Sequence, residues 1–299
     1  MFTGCGTALV TPFQKDSSLD EQAFRRLVRR QIEAGINFLV PCGTTGESPT
    51  LSRAEQLRIV EITIEEAQPR KVPVLAGAGG NHTSHVIEMA REFEAMGANG
   101  ILSVAPYYNK PTQEGLYQHY KAIAAAISLP IILYNIPGRT GVNIETSTLT
   151  RLAEIDNIIG VKEASGNISQ MAVVLDSVPS KFLVLSGDDA ITLPLLALGG
   201  KGLISVSSNE IPAEMTRMVE LALENDISAA REVHRRYFRL LEVNFIETNP
   251  GPVKAALAFM GLLEPVFRLP LVAPKPENMA KIRSALESVG LVQQVYAAR

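Results

Sequence analysis

Eight short, continuously apolar runs, each followed by an amphipathic stretch, constrain what this chain can fold into. The runs cover residues 6–10, 37–41, 72–76, 100–104, 130–134, 158–161, 182–185 and 202–206. Each is too short for a helix and lacks the polar–apolar alternation of a strand with one wet face. Such runs predict strands buried on both faces of a parallel sheet. Between them, apolar residues recurring every three to four positions predict helices over 19–34, 51–67, 84–96, 112–127, 146–155, 168–178, 190–198 and 212–223. In the first helix, Phe24, Leu27, Val28 and Ile32 share one face, while Arg25, Arg26, Arg29, Arg30 and Glu33 fill the other. Ser52 stands three before Glu55, the spacing of a capping box, and Gly35 and Gly97 are placed as C-caps.

Strand and helix thus alternate eight times, roughly every 20–36 residues, as in repeated βαβ units. Eight such units form a closed barrel or a doubly wound sheet. No Gly-x-Gly-x-x-Gly follows the first run, which weighs against a dinucleotide-binding sheet. The expected architecture is therefore α/β: a (β/α)8 TIM barrel over residues 1–224. A C-terminal helical segment over 225–299 follows, with helices predicted at 227–243, 252–260 and 276–289. A barrel of this kind commonly needs about 250 residues, within the 299 present.

Composition narrows the partners. Lys and Arg number 28 against 31 Asp and Glu, a net charge of −3, so no basic excess points to nucleic acid or an anionic membrane. The longest apolar runs, such as 193–198, fall far short of the ~20 residues of a membrane span. The N-terminus lacks the basic and apolar regions of a secretory signal, and two cysteines, Cys5 and Cys42, read as reduced thiols. A cytoplasmic location is expected. His82 and His85 lie three apart with no third ligand in view, so no metal site is expected. The Gly-rich stretch at 198–202 is not a phosphate loop, because neither Ser nor Thr follows its lysine.

In a (β/α)8 barrel the chemistry sits at the C-terminal ends of the strands. There the sequence places Gly43-Thr44-Thr45-Gly46-Glu47, Pro106-Tyr107-Tyr108-Asn109, Tyr134-Asn135, the Arg139 loop, Lys162-Glu163 and Gly187-Asp188-Asp189. Lys162 is the least ordinary of these, since it follows Ile158-Ile159-Gly160-Val161 inside a buried strand. Such a lysine either snorkels to solvent or, desolvated, offers a free amine that attacks a carbonyl. Tyr134 either packs the barrel mouth or moves protons beside the lysine, and Tyr108 is equally open as a loop aromatic. Thr44 and Thr45, between two glycines, either stabilise a turn or hold a carboxylate with hydroxyls and backbone N–H groups. Arg139 either is solvated or forks onto a carboxylate.

Together these residues resemble one family. Gly43-Thr44-Thr45-Gly46-Glu47, Tyr134-Asn135-x-Pro137 and the lysine in Gly160-Val161-Lys162-Glu163-Ala164-Ser165-Gly166 are similar to the three marks of the dihydrodipicolinate synthase / N-acetylneuraminate lyase family of class I aldolases. The resemblance runs from Phe2-Thr3-Gly4 to Gly290-Leu291. It is closest to the synthases, through the paired threonines, Pro106-Tyr107-Tyr108-Asn109-Lys110-Pro111 and Arg139-Thr140-Gly141.

The resemblance implies that Lys162 forms an imine with pyruvate and that Tyr134, Thr44 and Tyr108 relay protons, Tyr108 entering a neighbouring subunit's site. It implies that Thr45, the backbone of Ile204 and Gly187 face the bound pyruvate, and that Arg139 binds the carboxylate of L-aspartate 4-semialdehyde. No cofactor is implied, because the imine is the electron sink, and the assembly implied is a homotetramer made of two tight dimers. Lysine-inhibited members carry a cluster that Ser48, Asn81 and Tyr107 match. His85 stands where a glutamate holds the lysine amine, and Arg53 and Gln56 where histidines are common. Weak or absent lysine inhibition is therefore implied. Two alternatives remain: a lyase of the same chemistry acting on sialic acid, a keto-deoxy sugar acid or a hydroxyproline-derived acid, and a non-catalytic keto-acid-binding barrel.

Overall fold

A computed structural model describes residues 1–293; residues 294–299, the end of the expected C-terminal segment, lie outside the described residues. Eight strands form one parallel sheet: β1 (Gly4–Ala8), β2 (Phe38–Val40), β3 (Leu75–Gly77), β4 (Gly100–Val104), β5 (Ile131–Asn135), β6 (Ile158–Glu163), β7 (Leu183–Ser186) and β8 (Gly202–Ser205). Their order is β2-β1-β8-β7-β6-β5-β4-β3. The remaining seam, between β2 and β3, is joined by a single parallel bridge, Leu39 to Val74, and by backbone hydrogen bonds from Leu39 N to Pro73 O and from Gly77 N to Pro41 O, both 2.9 Å. The sheet is thus a nearly closed barrel with helices around it.

The surrounding helices are α1 (Glu21–Glu33), α2 (Arg53–Ala67), α3 (Thr83–Ala95), α4 (Gln113–Ala126), α5 (Pro137–Thr140), α6 (Thr146–Leu152), α7 (Ile168–Ser177), α8 (Thr192–Ala197) and α9 (Pro212–Leu223). Then come α10 (Ile227–Val243), α11 (Gly251–Phe259) and α12 (Pro276–Ser288). Local chemistry sets the ends. Ser52 and Glu55 form the expected capping box on α2, and Asp20, Thr112, Asn167 and Asp226 cap α1, α4, α7 and α10 with side-chain oxygens. Gly35 and Gly97 follow α1 and α3 with φ of +82° and +91°, the left-handed backbone that ends a helix.

Two local expectations shift. The third strand begins at Leu75 rather than 72, because Val72 still bonds back to Ala67 O and Pro73 has no N–H for the ladder. The Arg139 loop is one helical turn, α5, started by Pro137 at its first position and closed by Gly141 at φ +71°.

Side chains alternate across each strand. Phe38, Val40, Leu102, Ile132, Tyr134, Leu185 and Ile204 fill the barrel interior, while Leu39, Ile101, Ile131, Leu133, Val184 and Leu203 pack outward against the helices. Among the described residues no helix is long and apolar enough to cross a membrane. The capping box gives the first prediction. Ser52→Ala removes one acceptor from the α2 N-terminus, costs about 1 kcal/mol and lowers the thermal midpoint by about 2 °C; a midpoint equal to the parent's contradicts it.

Candidate active site

Tyr134 of β5 and Lys162 of β6 are register partners, and Lys162 in turn pairs with Leu185 of β7. That register puts all three on the inner face. The Lys162 side chain is 5% exposed, and its Nζ stands 4.2 Å from the centroid of the Tyr134 ring. Among the described residues no carboxylate forms an ion pair with it, unlike Lys254, which pairs with Glu47. Burial pulls the amine down to about 8; the Asp189 and Asp188 carboxylates oppose that shift and the Arg139 guanidinium adds to it. The same burial pushes the Tyr134 phenol up to about 12, with Arg139 and the nearby Thr44 hydroxyl pulling the other way. At neutral pH the site therefore holds an amine with a substantial neutral fraction beside a phenol that keeps its proton.

Behind these two residues the outer faces of β5 and β6 are tied together. Asn135 Nδ2 donates to Glu163 Oε2 at 3.0 Å and to Asn143 Oδ1 at 2.9 Å, and Glu163 Oε1 accepts from Ser165 N at 2.7 Å. Gly187, just past β7, matters by its missing side chain: a Cβ there would stand 2.9 Å from Lys162 Cε and 2.7 Å from Ala164 Cβ. Asp189 is buried, and burial raises its carboxyl, opposed by hydrogen bonds from the Ser205 hydroxyl (2.5 Å) and from Val206 N and Ser207 N (3.0 and 3.1 Å). These bonds hold the chain directly after Ile204.

A cavity of ≈ 310 Å³ is lined by Thr44, Tyr107, Tyr134, Ile136 and Arg139 among others; Lys162, Thr45 and Gly187 are not among its lining residues. Thr45 is buried, and its Oγ1 accepts from Asn249 Nδ2 at 3.0 Å. Arg139 is exposed and donates to Asn249 O at 3.2 Å. Thr44, Thr45, Tyr134, Lys162, Arg139 and Gly187 thus gather at one end of the barrel, while Ile204 is fully buried in the interior cluster with Tyr134. Tyr108 does not join them: it is 89% exposed, sits at φ +72° and does not line the cavity, whereas Tyr107 does.

Ser48, Asn81, His85 and Tyr107 meet in a second cavity of ≈ 340 Å³ that also includes Arg53, Gln56, His82 and Glu88. The His82 and His85 rings are 4.1 Å apart, and Arg53 pairs with Glu92 at 2.8 Å. Glu88, one helical turn after His85, escapes a sequence reading because nothing in its spacing separates it from a solvated glutamate. Asn249 and Lys254 are also missed, and Asp189, placed at the rim by the sequence, is given no role there; for the first two only the lone charge of Lys254 within the otherwise apolar 252–260 stretch offers a signal. Among the described residues no group of three or more His, Cys, Asp or Glu is arranged to hold a metal.

The family model of the dihydrodipicolinate synthetase family matches residues 1–289. The 4-hydroxy-tetrahydrodipicolinate synthase of Koribacter versatilis is 54% identical over 297 residues, 99% of either chain. The dihydrodipicolinate synthase of Aquifex aeolicus superposes with a TM-score of 0.95 at 43% identity, covering 98% of this chain and 100% of its own. The chloride-inhibited dihydrodipicolinate synthase of Acinetobacter baumannii, solved in complex with pyruvate, gives a TM-score of 0.96 at 42% identity, covering 98% and 100%. Barrel and matches together define a lyase-type (β/α)8 enzyme. The chain belongs to the dihydrodipicolinate synthetase family.

The depressed amine has a direct readout. Acylation of Lys162 by an amine-reactive ester, followed residue by residue with mass spectrometry, is expected to titrate near pH 8. Surface lysines titrate about two units higher. A Lys162 profile superimposed on theirs removes the claim that burial activates it.

Proposed function

We propose that this chain is a 4-hydroxy-tetrahydrodipicolinate synthase, which joins pyruvate to L-aspartate 4-semialdehyde through a Schiff base on Lys162. The observation that carries this reading is the buried Lys162 amine, without an ion-pair partner among the described residues and pulled down to about 8. At pH 7.5 about a quarter of such amines are neutral, against about one in a thousand for an ordinary lysine. The neutral amine attacks C2 of pyruvate to give a carbinolamine, and the Tyr134 phenol supplies the proton with which hydroxide leaves as water. The Tyr134 phenolate takes back a proton from the methyl group of the resulting iminium, which gives an enamine whose carbon attacks the aldehyde. The amine of the second substrate then displaces Lys162 as the ring closes, which returns the free lysine. The imine serves as electron sink, so no cofactor takes part.

In this reading Thr45 and the backbone at Ile204 hold the pyruvate carboxylate, and Gly187 leaves room for the lysine chain beside it. Arg139, exposed at the mouth, receives the carboxylate of the aldehyde substrate; a sugar-derived substrate would offer hydroxyls there instead. Tyr108, exposed in one chain, completes the relay of a second copy, in a homotetramer of two tight dimers. The product serves diaminopimelate and lysine biosynthesis in the cytoplasm, a setting compatible with two unpaired, buried cysteines.

Turnover of pyruvate and L-aspartate 4-semialdehyde, coupled to the NADPH-dependent reductase that consumes the product, is the expected activity. Lys162→Ala is expected to abolish it. A parent protein that borohydride traps on Lys162 with pyruvate, yet that turns over no semialdehyde, would keep the imine and assign another aldehyde. The second cavity presents His85 and Arg53 to a ligand that carries two ammonium groups, and Glu88 is its single lining carboxylate. Inhibition by lysine is accordingly expected to be weak, and half-inhibition at sub-millimolar lysine would refute it.

A further inference from the structure

Glu47 and Lys254 form an ion pair in which both side chains are 0% exposed, 207 residues apart in sequence. Removing two charges from water is expensive, and apolar residues of the same volume would stabilise the fold at least as well. A stability role alone therefore gives no reason for the pair. What charges add is direction: a single partner, in a single geometry.

The surroundings of Glu47 show what that direction serves. Glu47 sits at φ +56°, a left-handed conformation unusual for a residue with a side chain. Its N–H donates to Thr44 O at 3.1 Å, closing the turn that carries Thr44 and Thr45, and Thr11 Oγ1 donates to Gly46 O at 2.7 Å. Its carboxylate reaches into the protein, where Oε1 accepts from Lys254 Nζ while Oε2 has no partner among the described residues. Lys254 lies in α11 against the rings of Phe13 and Phe267, with centroids 4.4 and 5.2 Å from Nζ. Just before α11, Asn249 donates to Thr45 Oγ1 and accepts from Arg139. Farther on, Arg268 stacks 4.1 Å over the same Phe13 and pairs with Glu55 at 2.5 Å. Asn249, Lys254 and Arg268 thus grip the Thr44–Glu55 stretch at Thr45, Glu47, Thr50 and Glu55.

We propose that Lys254 is a positioning residue for pyruvate binding: through Glu47 it sets the Thr44–Thr45 turn, which makes the C-terminal helical segment part of the substrate-binding machinery. This rests on the reading of Thr45 as holder of the pyruvate carboxylate. A turn released from Lys254 keeps the Lys162 amine, because β6 is untouched, but presents the Thr45 hydroxyl and N–H groups in several geometries. The loss falls on pyruvate affinity rather than on imine chemistry.

The test is borohydride trapping of Lys162 as a function of pyruvate concentration, read by mass, together with pyruvate KM and kcat. It uses Lys254→Met and the neutral pair Glu47→Gln with Lys254→Met. The single variant leaves a buried carboxylate unpaired and is expected to unfold at lower temperature. The double variant is expected to fold and to need about tenfold more pyruvate for half-maximal trapping, the scale of one charge-assisted hydrogen bond. Its maximal trapping and kcat should stay within about threefold of the parent. A folded double variant whose half-saturation lies within twofold of the parent, or one that loses maximal trapping at unchanged half-saturation, overturns the proposal. If the double variant does not fold, the apolar pair Glu47→Met with Lys254→Met, which likewise releases the turn from Lys254, is read by the same criteria. Failure of the parent itself to be trapped with pyruvate would instead defeat the Schiff-base reading.

Discussion

The site depends on keeping one amine dry. Lys162 stands on the inner face of β6 with an aromatic ring beside it and, among the described residues, no carboxylate paired to it, so burial dominates its titration. Two acids, Asp188 and Asp189, lie close enough to raise the amine but not to neutralise its activation. Asp189 turns its acceptors to Ser205 and to the backbone of Val206 and Ser207, the wall of the site. A direct contact to either acid would turn the nucleophile into half of a salt bridge. The barrel supports this placement with rigid strands: the Asn135–Glu163 bond fastens β5 to β6 from outside, so Tyr134 and Lys162 keep their register without any group reaching into the cavity.

Most of the framework was legible in the sequence because it is written in local periodicity. Each predicted strand overlaps an observed one, since short apolar runs between capped helices admit few other structures. The exceptions have local causes that periodicity does not carry, as with Pro73 delaying β3 and Pro137 starting α5. Lys162 and Tyr134 stood out as polar groups ending apolar runs, and the structure brings them together as register partners. Asn249, Lys254 and Glu88 did not stand out, because their significance lies in neighbours far along the chain or across a groove. Glu47 illustrates the difference: its place in the Gly43–Glu47 motif was evident, whereas its partner, 207 residues later, left only a single charge in an apolar helix as a trace.

The two cavities share a wall. Ser48, Gln56, Gly77, Gly79 and Tyr107 border both, so the outer cavity abuts the stretch that carries Thr44. Gln56 Nε2 donates to the Ser48 carbonyl and hydroxyl at 3.0 and 3.2 Å, and Asn81 Nδ2 donates to Tyr107 O at 3.1 Å. Coupling between the cavities needs no distant rearrangement, only a shift in these few bonds, and any such coupling is reciprocal.

The reach of the Glu47–Lys254 pair also bears on how the protein is made. Chains emerge from the ribosome at ~5–20 residues per second, so the Thr44–Thr45 turn is synthesised roughly 10–40 seconds before the lysine that anchors it. Through that interval Glu47 has only water to solvate its carboxylate, and water must leave when α11 docks. The eight strands can assemble on the growing chain, but the buried pair that ties the Thr44–Thr45 turn to α11 is completed by one of the last helices to appear. Closure of this corner of the fold is therefore a late event of synthesis, set by the order in which the ribosome delivers the two halves of a buried pair.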